Sequence, residues 1–403
     1  MTFFRQFLRH PQQLWIRRVN FQVHLWTGVI LALYVTMIGF TGSILVFGDE
    51  LDRLFDPTPW PALDAKRQIA DVAVVLHDLT ARYPGMRIVS VMGPTAADPV
   101  FLSVLQRRRR ITIASNPVTG QVLGEAPRRR SRLDWIYELH ENLLARRPGR
   151  VVNGIGAIAL LLLALTGLVN WWPGIQNWRR AVSVDFRRKW KRINFDLHSA
   201  AGFWGLAFIA LWAISGIYFA WPDKVLAFVD RWSPVVNSLP PSVRVAPEGD
   251  IVPLDFASIL KKAYAVDPGT QWKGIIFPGT RRSPLEILMS RAPGIGRDYE
   301  DTLYFNPYNG EYITTWQYGV NKSLGDWFIW LQIPLHFGTH WGMGIKCLWA
   351  VMGLVLPLLA VTGLLMYWNR VLGRRSKQLR KVAPDAFVAS KKSDPQQSSL
   401  QPD

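Results

Sequence analysis

The sequence is short of the residues that many metal and redox sites need. Its 403 residues contain one cysteine, Cys347. A single thiol excludes a disulfide framework, a thiolate zinc site and an iron–sulfur cluster held by this chain alone. The sequence also lacks Cys-x-x-Cys-His and Gly-x-Gly-x-x-Gly. Covalently attached c-type haem and a dinucleotide-binding fingerprint are therefore excluded as well.

Charge is scarce too, and four stretches have none. Charged residues make up 19% of the chain and hydrophobic residues 49%, a composition too apolar for an ordinary soluble enzyme or a disordered chain. A run of about 20 apolar residues can cross a hydrocarbon core of about 30 Å, and it must do so as a helix because lipid offers the backbone no hydrogen-bond partners. The uncharged stretches are 21–47, 151–172, 200–221 and 347–368.

The positive charge indicates the orientation. Of the formal net charge of +18, residues 1–20 carry four, residues 173–193 carry six and the tail from Arg370 carries five. The positive-inside rule predicts that both termini and the central connector are cytoplasmic. Because topology accounts for most of the basic excess, the predicted partner is the lipid bilayer, and no nucleic-acid partner is predicted.

These spans define the predicted boundaries. The four spans are predicted at 21–47, 151–172, 196–221 and 345–369. The outer segments between them are 48–150 and 222–344, and the basic cytoplasmic loop is 173–195. The cytoplasmic N-terminus is 1–20 and the cytoplasmic tail is 370–403.

Each outer segment is too long for a plain loop and is predicted to fold as a small α+β domain. In both, a helical pattern precedes strand patterns and a second helix precedes the next span. The first segment has them at 69–82, 87–92, 100–105, 111–114 and 133–145, and the second at 256–266, 272–277, 285–289, 302–305 and 324–337. Residues 146–149 and 338–344 are expected to end these second helices before the spans begin.

The chain repeats itself. Asn20-Phe-Gln-Val-His24 matches Asn194-Phe-Asp-Leu-His198 at an offset of 174, and an offset of 196 relates later residues. The matched pairs are His24 with His198, Thr41-Gly42 with Ser215-Gly216, His140 with His336 and Thr166-Gly167 with Thr362-Gly363. An even number of spans gives both halves the same orientation. The predicted fold is an α-helical membrane protein with four transmembrane helices in two parallel repeats and two small α+β periplasmic domains.

Four histidines fall on the repeat, one pair at each face of the bilayer. His24 and His198 lie near the cytoplasmic ends of their spans, and His140 and His336 precede spans on the outer side. Zinc needs three or four ligands and a proton relay usually recruits carboxylates, which the spans lack. Bis-histidine b-type haem fits better, so we predict two haems b with these four axial ligands. His340, one helical turn after His336, is a second candidate at the outer site.

Each span also carries a glycine that follows serine or threonine. By helix length, Gly42 and Gly216 lie at the level of the outer histidines, and Gly167 and Gly363 at the level of the inner ones. A missing side chain would let a flat macrocycle approach the backbone, so all four are candidate haem-binding residues. The alternative is that small residues pack helices together in lipid.

A resemblance to a known family rests on the segment Asn20 to Gly28, the Thr41-Gly-Ser sequence and the Asn-Pro-x-x-Gly turns of both outer segments. The chain resembles the PepSY-associated transmembrane family over roughly residues 10–372. The resemblance implies a bacterial inner-membrane protein with PepSY-like periplasmic domains and a role in iron uptake. Some members are implicated in reducing iron–siderophore complexes at the periplasmic face with two membrane haems. Carried over, that role falls on the same four histidines, whereas His340 is an extra candidate that the repeat does not explain.

The predicted function is a reductase for periplasmic ferric siderophore that releases Fe(II). The donor is expected to be external, either quinol or a partner reductase, because the chain has no dinucleotide fingerprint and no room for a flavin domain. Two other classes stay open: a permease for the intact siderophore, against which uncharged spans count, and a PepSY-type binding or regulatory protein.

Overall fold

The computed structural model describes residues 15–55, 60, 68–95, 98–126, 133–236, 240–246, 254–291, 300–338 and 342–372. Its helices are α1 Trp15–Leu45, α2 Gly48–Phe55, α3 Val72–Arg82, α4 Asp134–Asn142, α5 Arg146–Trp171, α6 Trp178–Ala181, α7 Trp190–Ala220, α8 Pro222–Asp230, α9 Phe256–Val266, α10 Leu324–Phe337, α11 Met343–Gly353 and α12 Val355–Tyr367. Its strands are β1 Arg87–Met92, β2 Phe101–Gln106, β3 Arg110–Ser115, β4 Val122–Glu125, β5 Gln271–Ile276, β6 Leu285–Ser290, β7 Glu300–Phe305 and β8 Tyr312–Trp316.

These elements belong to two compact units. The helical unit draws on the described residues within Met1–Ile44, His140–Ala220 and Ala350–Asp403, and the sheet unit draws on those within Leu45–Leu139 and Trp221–Trp349. Each unit therefore combines segments from both halves of the chain.

Four helices of the described residues are long and apolar enough to cross a membrane, in agreement with the four predicted spans: Trp15–Leu45, Arg146–Trp171, Trp190–Ala220 and Met343–Arg370. Large side chains on α1 such as Ile30 and Leu33 are 76% and 83% exposed, as residues that face lipid are. The interior of the helical unit is built mostly from medium-sized and small residues, namely Val35, Leu160, Ala164, Ile209, Ala213 and Leu356.

The helices that form the spans differ from the sequence prediction at several places, since α1 begins at Trp15 rather than at residue 21 and α7 begins at Trp190 rather than at residue 196. Residues 146–149 were predicted to lie between two helices, but they form the first turn of α5. Pro148 is tolerated there because the first N–H groups of a helix have no intrahelical partner. The fourth span changes from α11 to α12 at Leu354, three residues before Pro357, whose missing N–H interrupts the helical hydrogen bonds.

The sheet unit holds one antiparallel sheet with the strand order β4-β3-β2-β1-β5-β6-β7-β8. Strand β1 pairs with β5 through Ser90 with Ile276, Val91 with Ile275, and Met92 with Gly274. The sequence predicts two separate outer domains, and the structure joins their strands in one sheet. Without this pairing, β1 and β5 would each be an edge strand with a row of unpaired backbone groups.

One apolar core serves the whole sheet unit. It contains residues of α3 and α9 together with alternate residues of the strands, among them Leu79, Phe101, Ile259, Ile275 and Phe305. Both helices begin at an aspartate whose side chain accepts a hydrogen bond from the second following N–H, Asp71 for α3 and Asp255 for α9. The sequence predicts neither β4 nor β8, because all of their side chains are half-exposed or exposed and neither strand has a buried apolar face.

Candidate functional site

Two of the predicted ligands lie side by side in the helical unit. The ring centroids of His24 on α1 and His198 on α7 are 6.4 Å apart, and the ring planes make an angle of 84°. Two imidazoles on opposite sides of one metal ion, with metal–nitrogen bonds of about 2 Å, place their ring centres about 6 Å apart. The spacing of His24 and His198 would therefore suit two imidazoles that hold one metal ion between them.

Each of these rings is held through its Nδ1 atom. Nδ1 of His24 lies 3.0 Å from Oγ1 of Thr166, and Nδ1 of His198 lies 2.9 Å from Oγ1 of Thr362. Both hydroxyls also donate to a carbonyl of their own helix, Thr166 to Leu162 at 2.7 Å and Thr362 to Leu358 at 2.7 Å.

The hydroxyl contacts indicate which ring nitrogen carries the proton. A hydroxyl has one proton, and here the helix carbonyl takes it, so the oxygen can only accept from an Nδ1–H group. A neutral imidazole protonated at Nδ1 keeps its lone pair on Nε2. In this tautomer His24 and His198 would both offer the Nε2 lone pair to a metal, which is the arrangement of metal-binding histidines whose other nitrogen donates a hydrogen bond.

The glycines beside these threonines face the imidazoles. A Cβ atom at Gly167 would lie 3.3 Å from Cε1 of His24, and one at Gly363 would lie 3.3 Å from Cε1 of His198. Gly42 has the same relation to His140, at 3.1 Å from Cε1. The sequence predicts that these glycines make room for a macrocycle or for a helix, and in the structure each of these three lies next to a histidine ring.

Gly216 differs from the other three glycines. A Cβ atom there would lie 3.1 Å from Cβ of Ala157, so Gly216 lets α7 approach α5. At this position the helix-packing alternative describes the contact.

His140 on α4 repeats the contacts of the inner histidines. Its Nδ1 atom lies 2.8 Å from Oγ1 of Thr41, and that hydroxyl donates to the carbonyl of Met37 at 2.8 Å. The backbone carbonyl of His140 accepts from the side-chain amide of Asn153 at 2.8 Å. Burial lowers the pKa of His140 to about 4, so the ring is neutral at physiological pH, as a metal ligand must be.

His336 lies in the sheet unit, on α10, where its ring is 5.2 Å from the ring of Phe337. Helix α10 ends at Gly338, which takes a left-handed backbone conformation with φ of 65°. The pairing of His336 with His140 stays a prediction from the repeat. His340 lies outside the described residues.

Sequence reasoning missed the polar residues that support the inner pair. The side-chain amide of Asn20 donates to the backbone carbonyl of Thr166 at 2.8 Å, and that of Asn194 donates to the carbonyl of Thr362 at 3.0 Å. The repeat itself was the available signal, since Asn, Thr and His all recur in both halves. Within the described residues, no three His, Cys, Asp or Glu side chains come together to hold a metal ion.

The four apolar helices make this chain a multi-pass membrane protein. The sequence model of the family described as PepSY-associated TM region matches residues 21–370. The chain therefore belongs to that family, as its sequence motifs predicted.

A curated relative is the uncharacterized protein PA4219 of Pseudomonas aeruginosa, which is 29% identical over 288 residues. The match covers 64% of this chain and 66% of the relative. The chain thus spans slightly less than two thirds of that protein.

Proposed function

We propose that this protein is an inner-membrane reductase that passes electrons from a cytoplasmic or membrane donor to a ferric siderophore in the periplasm. The observation that carries the proposal is the inner histidine pair: two imidazoles with centroids 6.4 Å apart on two membrane helices, each with Nδ1 within hydrogen-bond distance of a threonine hydroxyl. In apolar helices, a ligand set of two neutral imidazoles suits b-type haem.

Two haems b are the proposed cofactors, one held by His24 and His198 and the other by His140 and His336. When bound, b-type haem supplies reversible one-electron reduction of its iron. Two sites are proposed because a single one would not bridge a hydrocarbon core of about 30 Å. The Thr–His contacts found in both halves of the chain support two parallel repeats.

The residues of this chain orient the ligands and exclude water from them. Thr166 and Thr362 hold the inner rings in one tautomer, and Leu160, Ala164 and Ala213 belong to the buried apolar interior of the same helical unit, which disfavours water there. In the overall reaction, a quinol or a partner reductase gives up one electron for each Fe(III) chelate reduced to Fe(II). Fe(II) is held more weakly by hard oxygen ligands than Fe(III), so the siderophore releases it.

The proposed orientation places both termini and the loop between α5 and α7 in the cytoplasm and the sheet unit in the periplasm. The basic residues support it, because that loop carries Arg187, Arg188 and Lys189 and positive residues favour the cytoplasmic side.

The test begins with the visible spectrum of the full chain, purified in detergent after expression with haem available. We expect two non-covalent haems per chain, and His24→Ala should reduce this number to one while leaving the second spectrum unchanged. His77→Ala, on the exposed face of α3, is the matched control and should keep both. Under anaerobic conditions, a ferric siderophore should oxidise the dithionite-reduced protein.

Three results would contradict the proposal. A colourless protein would exclude the reductase and leave the siderophore permease and the PepSY-type binding protein. Unchanged haem content in His24→Ala would exclude the proposed ligand pair. A reduced protein that oxygen reoxidises but ferric siderophores do not would exclude the iron substrate.

A further inference from the structure

We propose that Thr166 and Thr362 are positioning residues that fix the tautomer and the ring plane of the inner histidines and thereby tune the reduction potential of the iron bound between them. Asn20 and Asn194 hold these threonines in place. The inference rests on the proposed haem function and assigns a role to four residues that are not themselves ligands.

The two halves of the site make the same contacts. In each, a threonine hydroxyl meets Nδ1 of a histidine on another helix, at 3.0 Å for Thr166 and 2.9 Å for Thr362. Both hydroxyls donate their hydrogen bond to the carbonyl four residues earlier. Two independent positions with the same geometry indicate one arrangement used twice.

The backbone of each threonine is fastened to the helix that carries the histidine. The amide of Asn20 reaches the carbonyl of Thr166, and that of Asn194 reaches the carbonyl of Thr362. Asn194 is 1% exposed, so its amide could not be satisfied by water. Because the asparagine lies four residues before the histidine, both side chains emerge from the same face of one helix.

The glycine after each threonine completes the contact. Gly167 and Gly363 leave only 3.3 Å between an added Cβ and Cε1 of the ring, so a larger residue would push the imidazole away from the hydroxyl. Asn, Thr-Gly and His thus form one clamp, and the angle of 84° between the ring planes is the result of two such clamps.

The clamp has a chemical consequence for bound iron. An Nδ1–H group that donates to an oxygen makes its imidazole a stronger donor to the metal, and a stronger donor favours Fe(III) over Fe(II). Loss of the hydroxyl should therefore raise the reduction potential of the inner haem. It should also free the ring to turn about its bond to iron.

The experiment compares Thr166→Val, which keeps the β-branched shape and loses the hydroxyl, with Thr166→Ser, which keeps the hydroxyl. Thr36→Val on α1 is the matched control, because the hydroxyl of Thr36 donates to the carbonyl of Ala32 at 2.8 Å and has no hydrogen bond to a histidine among the described residues. The full chain is used in every case.

We expect the valine variant to bind both haems and to prefer Fe(II) at the inner site on the order of threefold more than wild type, equivalent to about +28 mV for a one-electron couple. Its low-spin ferric EPR signal should change, because that signal depends on the angle between the axial ring planes. The serine variant and Thr36→Val should match wild type in both measurements.

A third readout needs no haem. In haem-free protein labelled with ¹⁵N-histidine, His24 should be protonated at Nδ1 in wild type, and this preference should weaken in Thr166→Val, where only the backbone carbonyl of Leu163 still accepts from the ring. Haem-loaded Thr166→Val with an unchanged potential and EPR signal would overturn the inference and leave the proposed function intact. A wild-type protein that takes up no haem would overturn the proposed function, and the ¹⁵N spectrum would still decide whether Thr166 sets the tautomer.

Discussion

Two carboxyl groups of the sheet unit share a buried position. Asp301 is fully buried and accepts from Nε of Arg291 at 2.8 Å and from the backbone N–H of Tyr318 at 2.7 Å. Asp267 forms a hydrogen bond with Asp301, and burial together with that neighbour raises the pKa of Asp267 to about 6. Asp267 therefore keeps a proton at pH values where an exposed aspartate has lost it.

This pair predicts a pH-dependent stability of the sheet unit. In the unfolded chain Asp267 titrates near 4, and in the folded chain it titrates near 6. The folded state binds the proton more tightly, so the stability contribution of Asp267 is complete below about pH 4 and is lost as the pH rises towards 6. Asp267→Asn should remove this part of the pH dependence.

The measurement is the unfolding free energy of the full chain in detergent between pH 4 and pH 8. Asp223→Asn, at an exposed position of α8, controls for the loss of one carboxylate. Parallel curves for wild type and Asp267→Asn would show that Asp267 has no raised pKa in the folded protein.

At the scale of elements, the approach of α1 to the fourth span depends on a glycine. A Cβ atom at Gly39 would lie 2.6 Å from Cδ of Pro357 and 2.8 Å from the carbonyl oxygen of Gly353. Both distances are shorter than real contacts, so a larger residue must push the helices apart. Small residues at such crossings are the usual means of close packing between membrane helices.

Gly39→Ala should therefore destabilise the helical unit by about 1–3 kcal/mol through overpacking. Gly28→Ala on the same helix is the control, because its Cβ would lie 3.8 Å from Cδ2 of Leu163, an ordinary contact. Both changes gain the same helix propensity, so the difference between their thermal unfolding midpoints isolates the packing effect. Equal midpoints would mean that α1 and the fourth span are not in close contact at Gly39.

At the scale of the whole molecule, residues far apart in the chain complete each unit. The β1–β5 pairing joins Val91 to Ile275. The eight-stranded sheet therefore cannot form completely until both outer segments have been synthesised. The helical unit likewise brings α1 beside the fourth span. Such non-local pairing pays the cost of loop closure before it gains contacts.

The proposed orientation predicts which sites a membrane-impermeant maleimide can label. In a Cys347→Ser background, Lys261→Cys on α9 should react in cells whose outer membrane alone is permeabilised. Phe186→Cys, in the basic loop and 72% exposed in wild type, should react only after the inner membrane is disrupted. The opposite labelling pattern would reverse the orientation.

Sequence reasoning located the elements that local physics dictates. The bounds of α9, α10 and β1 agree with the prediction residue for residue, because capping residues and the alternation of apolar and polar positions are visible in a single segment. The four spans were equally plain, since a run of about 20 apolar residues can cross a membrane in no other form than a helix.

Only part of the candidate site could be predicted from the sequence. The repeat pointed to His24 and His198, and the structure brings their rings together. The repeat did not reveal that Thr166 and Thr362 hold those rings, or that β1 and β5 join the two outer segments. Periodicity in a sequence reports that a residue or strand needs a partner, whereas the choice among chemically equivalent partners is made by chain packing. That choice therefore belongs to the tertiary structure.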